Sequence, residues 1–293
     1  MSVQITTAFV EQYKGNVEHL VQQKGSRLRS AVSVETVTGK SAFFEQIGSV
    51  DARVRTTRGQ DTPQMDTPHS RRRVSLVDYD WADLIDNEDR VRLLIDPSGP
   101  YSMAASNAMG RAMDSAIVSA ADGTAFTGVS GGTSTSFTAA NTVDVQVGVS
   151  PAADTGLNIG KLRAAKEILD GNEAEDGDRY CIINAKQLQN LLSETEITSS
   201  DYNVVKSLVH GEVSSFLGFS FIRTELIGVD SNSDDKVLFW QKAGMKLAIG
   251  AEPQVKISER DDKNYATQVF VSMAIGATRM QETLVGLIEC DPT

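Results

Sequence analysis

Cysteine is scarce in this chain: Cys181 and Cys290 are the only two in 293 residues, which excludes a disulfide scaffold. One bridge between these distant positions is a reading, but two buried free thiols in a reducing compartment fit better. No apolar run approaches the ~18 to 20 residues of a membrane-spanning helix, so no membrane partner is expected. The opening stretch lacks a basic region followed by an apolar one, and no secretory signal is expected. Histidine is limited to His19, His69 and His210, and neither H-E-x-x-H nor paired C-x-x-C occurs, which removes the usual zinc patterns. A Walker loop and a G-x-G-x-x-G are both missing, so no phosphate cradle is visible and no cofactor is expected. Positive charge is also short, with 28 Lys and Arg against 39 Asp and Glu and a net charge of −11. A dedicated nucleic-acid binder needs clustered cations. The balance does not forbid a protein that encloses nucleic acid without gripping it.

What is present is an ordinary globular mixture, 40% apolar and 23% charged, long enough to bury a real core. From Thr7 to Arg29, Phe9, Tyr13, Val17, Leu20 and Val21 fall on helical spacing, broken by Gly15 and Gly25. Their stripe is narrow, so residues 1–32 read as an arm that docks on something else. Val50, Ala52, Val54 and Thr56 alternate with Asp51, Arg53, Arg55 and Thr57, which is strand periodicity. A second strand-like run, Arg73 to Val77, follows a connector broken by Pro63 and Pro68. Residues 33–77 therefore predict a long β-hairpin with an irregular tip. Its few large apolar residues give it no core, and such a hairpin must lie on another surface.

Beyond Pro97 and Pro100, residues Ser102 to Ala121 predict the longest helix, rich in Ala and Ser, and the Gly/Ser/Thr tract 123–141 predicts a loop. Ile159, Leu162, Ala165, Ile168 and Leu169 define a helical face ending at Gly171. Residues 180–184 predict a buried strand, 185–192 a helix and 204–209 a helical turn or two. Residues 216–222, 236–240, 267–275 and 283–289 predict strands, so the chain is mixed α+β with a strand-rich tail that needs earlier partners.

Charge is distributed unevenly around the hairpin. Between Glu45 and Ser75 lie six arginines, Arg53, Arg55, Arg58, Arg71, Arg72 and Arg73, against four acids. The next segment, 78–96, holds seven acids, among them Asp83, Asp86, Glu88 and Asp89, against Arg90 and Arg92. Two such patches are either balanced solvated faces or complementary surfaces that meet between copies of the chain.

The remaining chemical motifs are weak. Gly128-Val-Ser-Gly-Gly132 fits the G-x-S-x-G nucleophile pattern, with Ser130 as nucleophile and His210 as a base in the right chain order. That motif needs a buried strand before the serine and a helix after it, whereas a helix precedes it and a Ser/Thr tract follows. Asp230 to Asp234 copies the first ligand positions of an EF-hand loop, but Asp235 replaces the required Gly and Gln241 the required Glu, so a polar turn is expected. No catalytic and no metal-binding residues are assigned, which favours a structural or binding role over an enzyme.

The stretch from Gln60 to Asp114 resembles the major capsid proteins of tailed bacteriophages. It carries Thr62-Pro63, DTPH at 66–69, the Arg71-Arg72 pair, DYDWADLID at 78–86, Asp96-Pro97 and AMGRAMD at 108–114. GEVSSFLGFSFIRTE at 211–225 is a weaker match. The resemblance implies an α+β fold of the Hong Kong 97 capsid type. Residues 1–32 would be its N-terminal arm and 33–77 its extended loop. Residues 78–150 with 253–293 would be the peripheral domain, with a long spine helix, and 151–252 the axial domain. It further implies self-assembly as hexamers and pentamers into an icosahedral virion head that encloses double-stranded DNA. Its expected partners are a separate scaffolding protein, a portal and a decoration protein. The six arginines, with Asp83, Asp86, Glu88 and Asp89, are then the expected intersubunit contacts. An encapsulin-like compartment is the alternative within the same fold, and a serine hydrolase the alternative outside it.

Overall fold

The computed structural model describes residues 22–62, 64–86, 98–148, 153–193 and 215–292. In chain order the strands are β1 (Ser33–Thr36), β2 (Ser41–Ile47), β3 (His69–Ser75), β4 (Val77–Ile85), β5 (Ala125–Thr127), β6 (Thr133–Thr135), β7 (Thr142–Val143), β8 (Arg179–Ile183), β9 (Ser215–Phe216), β10 (Phe219–Arg223), β11 (Asp235–Gln241), β12 (Met245–Arg260), β13 (Ala266–Arg279) and β14 (Val285–Cys290). The helices are α1 (Ser98–Asp122), α2 (Ile159–Gly171) and α3 (Ala185–Ser193). Three sheets result, with strand orders β1-β12-β13-β4, β7-β14-β11-β8-β10-β9 and β2-β3-β5-β6.

The 25-residue α1 starts before the sequence-based boundary and holds Pro100 in its first turn, where the missing N–H has no intrahelical partner to lose. Ala105, Met109, Met113, Ile117 and Ala121 recur every four residues and are at most 3% exposed. This stripe presses on Val271, Met273 and Ile275 of β13 and on Leu247 and Ile249 of β12. In the six-stranded sheet, Val237 and Phe239 of β11 face α2 and α3, while Leu238 and Trp240 face the α1 side. Cover on both faces explains why that strand reads as a continuous apolar run.

The α+β class is present, and a hairpin forms within 33–77, with β2 antiparallel to β3 from Ser41↔Ser75 to Ile47↔His69, but it is shorter than expected, because β1 pairs with β12 in another sheet and Val77 already begins β4. Its tip is irregular over a longer stretch than expected, because 50–57 forms no strand and is exposed throughout. The expected loop at 123–141 instead contains the β5–β6 hairpin, which pairs on β3. Its glycines mark only the turn, while β-branched Thr127, Thr133 and Thr135 supply the strands. The single strand expected at 216–222 is split into β9 and β10 by a turn at Leu217-Gly218. Residues 22–28 are irregular although helical spacing ran through them. The rest of that arm pattern (1–21) and the helical turn at 204–209 lie outside the described residues.

The tail pairs with earlier strands: β13 with β4, and β14 with both β11 and β7. The 16-residue β12 was not foreseen, because its register shifts at Ile249–Gln254, around Gly250 and Pro253, interrupt the alternation.

Candidate interaction surface

The arginine row of β3 sits at the root of the extended loop, and pleating sends its members to opposite faces. On the outer face Phe43, Arg73 and Phe126 lie side by side across β2, β3 and β5. The Arg73 guanidinium stacks 5.1 Å from the Phe126 centroid, and that of Arg71 5.4 Å from Phe43. Arg71 also pairs with Glu45 at 2.7 Å and donates to the Val129 carbonyl at 3.2 Å. The β5–β6 turn folds down onto this row at Gly131. With φ at +65°, a Cβ at Gly131 would lie 2.6 Å from the Arg73 stem, so only glycine seats there.

On the inner face Arg72 is 7% exposed and donates to the Met280 carbonyl and to Glu282, both at 2.9 Å. Burial and the neighbouring Arg279 pull its pKa down from the usual guanidinium range, and Glu282 opposes them. Glu282 is shared with Arg279, which is fully buried and donates to Ala121 and Gly123 carbonyls at 2.8 Å. Those carbonyls end α1, so one carboxylate ties the loop root to the helix C-terminus. The sequence shows no link between Arg72, Arg279 and Glu282; the fold alone brings them together.

The three arginines of β3 are therefore engaged with their own chain. Arg53, Arg55 and Arg58 differ: all are exposed at the loop tip and form no ion pair with a described residue, and Arg55 donates to the nearby Thr57 carbonyl at 3.1 Å. Val50 and Val54 beside them are 52% and 80% exposed.

The acidic segment divides as well. Among the described residues β4 forms one edge of its sheet, paired with β13 on one side. Tyr79 and Trp81 point inward against the α1 core, and Asp83 and Asp86 are half-buried. Asp78 and Asp80 are exposed and carry no ion pair with a described residue. Glu88 and Asp89 lie outside the described residues.

A second contact belongs to the end of the arm. Asn107, Gly110, Arg111 and Asp114 occupy one face of α1 at helical spacing, and the chain at Gln22–Leu28 lies along it. The fully buried Asp114 accepts from the N–H groups of Arg27 at 2.9 Å and Leu28 at 3.1 Å, and from Ser26 and Gln23 side chains. A Cβ at Gly110 would lie 2.3 Å from the Gly25 carbonyl carbon, so the glycine is what admits the arm. The polar i, i+3, i+4, i+7 pattern in an otherwise Ala-rich helix was the available signal, and it was missed.

Ser130 stands on an exposed hairpin turn between short strands, without the strand–turn–helix frame of a nucleophile elbow; His210 lies outside the described residues. Asp230 to Asp234 closes a tight turn in which the Asp230 carboxylate accepts from the Asn232 and Asp234 N–H groups, both at 2.8 Å. Cys181 and Cys290 are free and buried. No helix among the described residues is long and apolar enough to cross a membrane.

Comparison with known proteins gives a consistent result. The family model described as phage capsid protein matches residues 5–292. No curated protein matches the sequence. The fold is similar to the capsid of cyanophage P-SCSP1u, with a TM-score of 0.74 at 18% identity over 98% of this chain and 94% of that one. It is similar to the head structure of Helicobacter pylori bacteriophage KHP40, with a TM-score of 0.73 at 9% identity over 97% of this chain and 96% of that one. The capsid of Ralstonia phage GP4 gives 0.72 at 13% identity, covering 97% of both chains.

Proposed function

The chain belongs to the phage capsid protein family and is a structural subunit of the virion capsid, and from that premise we propose how its surfaces build the head. The family match favours a phage head over an encapsulin-like compartment. In our reading, copies join as hexamers and pentamers through the tip of the extended loop, which reaches a neighbouring subunit. Arg53, Arg55 and Arg58 meet the neighbour's acidic segment, and Asp83, Asp86, Glu88 and Asp89 belong to that receiving surface. Arg71, Arg72 and Arg73 serve assembly by fixing the angle at which the loop leaves the body. The observation that carries this is the tip itself, whose arginines and valines are exposed and form no ion pair or core contact with the described residues.

The division read from sequence is carried into this proposal with two adjustments. Residues 1–32 are the arm, 33–77 the extended loop, and 78–150 with the β12–β13 hairpin the peripheral domain. The sheet pairing of β14 with β11 supports moving 285–290 to the axial domain, otherwise 151–244, and the pairing of β12 with β13 supports moving 245–252 to the peripheral one. A scaffolding protein, a portal and a decoration protein are the proposed partners, and double-stranded DNA the enclosed cargo. The net charge of −11 suits a wall that does not hold its contents. Contacts of ~0 to 1 kcal/mol each suffice, because symmetry repeats them across the shell.

The test replaces Arg53, Arg55 and Arg58 with alanine and examines the purified chain by electron microscopy, alone and with its scaffolding partner. A folded subunit that no longer forms closed shells is expected. Shells at wild-type yield overturn the loop-tip contact.

A further inference from the structure

Residues 50–57 alternate apolar and charged side chains as a strand does, yet they form no strand within the chain and stand exposed. A segment patterned for pairing but left unpaired points to a partner edge elsewhere. The four-stranded sheet offers one, since no described strand pairs with the outer edge of the nine-residue β4. An edge of that length normally has to be blunted or covered.

The two patterns match residue for residue. β4 alternates exposed Asp78 and Asp80 with inward Tyr79 and Trp81. The loop tip alternates Arg53 and Arg55 with Ala52 and Val54. Laid beside β4, one face of the tip sets two arginines against two aspartates at the same two-residue spacing. Its other face sets Val54 next to Tyr79 and extends the apolar side of the sheet. The match holds in both directions: an antiparallel strand pairs Arg55 with Asp78 and Arg53 with Asp80, and a parallel one exchanges the two. Cross-strand pairs of opposite charge and of apolar with aromatic residues are the ones that stabilise sheets.

We infer that the loop tip of one subunit orders into a fifth strand on the β4 edge of a second copy, locked by Arg53 and Arg55 against Asp78 and Asp80. This rests on the reading above that the tip contacts a neighbour, and adds the element it meets and the backbone pairing that holds it. Ordering on contact also explains how one chain serves hexamers and pentamers: the strand forms only at the neighbour's edge, and the irregular stretches 48–49 and 58–62 absorb the difference in angle.

The experiment uses the full chain under assembly conditions. Three variants are compared: Arg53→Asp with Arg55→Asp, Asp78→Arg with Asp80→Arg, and all four together. Circular dichroism checks that each subunit is folded. The expectation is loss of closed shells in both double variants and their return in the fourfold variant. If reversing the loop arginines leaves shells intact, both the strand pairing and the loop-tip contact fall. If it blocks assembly and the fourfold variant does not restore it, the contact stands and the pairing with β4 falls. Cysteine pairs then read the direction, Arg55→Cys with Asp78→Cys for antiparallel and Arg53→Cys with Asp78→Cys for parallel. The native thiols are buried and do not interfere. Covalent multimers on non-reducing gels are expected for one pair, and their absence from both, in shells that form, overturns the pairing.

Discussion

At the scale of single residues, stability turns on a few buried charges whose partners come from distant parts of the chain. Glu282 is the clearest. It is the carboxylate shared by Arg72 and Arg279, so Glu282→Ala strands two buried guanidinium groups. A loss of about 3–5 kcal/mol is expected, the range for breaking a buried pair, read as a lower midpoint in urea denaturation of the subunit. Glu282→Gln keeps an acceptor and loses less. Asp114 is the second. Asp114→Ala leaves the Leu28 N–H buried without its acceptor, for roughly 1–3 kcal/mol, and limited proteolysis near residue 25 tests whether the arm has lifted.

Burial moves the titratable groups beside α2. It pushes Cys290 up to about 12 and Cys181 above its ordinary range. Neither thiol is expected to react with a disulfide reagent at pH 8 in the folded subunit, and both are expected to react after unfolding; native labelling would refute their placement. Lys161 is driven the other way, its pKa lowered chiefly by burial while its ammonium donates to the Thr155 and Glu289 carbonyls. Between that lowered value and 10.5 the unfolded chain binds more protons than the folded one, so Lys161 makes stability rise with pH across this window. In Lys161→Met the rise is absent, which the difference in unfolding free energy between the two proteins checks as alkaline pH is scanned.

At the scale of elements, periodicity was legible where one element buried one face. The face Ile159, Leu162, Ala165, Ile168, Leu169 announces α2, and the alternation of 267–275 announces β13. It failed where pairing rather than composition decides. The tract at 123–141 looks like a loop because Gly, Ser and Thr dominate it, but the free edge of β3 recruits its threonines into β5 and β6. Residues 50–57 fail the other way, with a strand pattern that pairs with no described residue. The basic and acidic segments were visible from sequence. Their division was not: nothing in the order Arg71-Arg72-Arg73 says that pleating turns the middle one inward onto Glu282, or that Asp83 is half-buried while Asp78 and Asp80 stay outside.

At the scale of the whole molecule, two electrostatic effects of opposite sign govern assembly, and salt separates them. A net charge of −11 makes subunits repel, and that long-range repulsion is largely screened once the Debye length falls to about 10 Å, near 0.1 M salt. The contact between Arg53 and Arg55 and a neighbour's Asp78 and Asp80 is short-ranged, and screening reaches it only as the Debye length approaches about 3 Å, near 1 M. Shell yield, followed by light scattering against sodium chloride, is therefore expected to rise from low salt to a maximum near physiological strength and then decline. The reversal Arg53→Asp with Arg55→Asp removes the attractive part and adds to the repulsive one, since it lowers each subunit's charge further. Any assembly it retains should then climb monotonically with salt. A wild-type curve that keeps rising to 1 M would mean that apolar burial, led by Val50 and Val54, holds the shell together and that the arginines only choose the register.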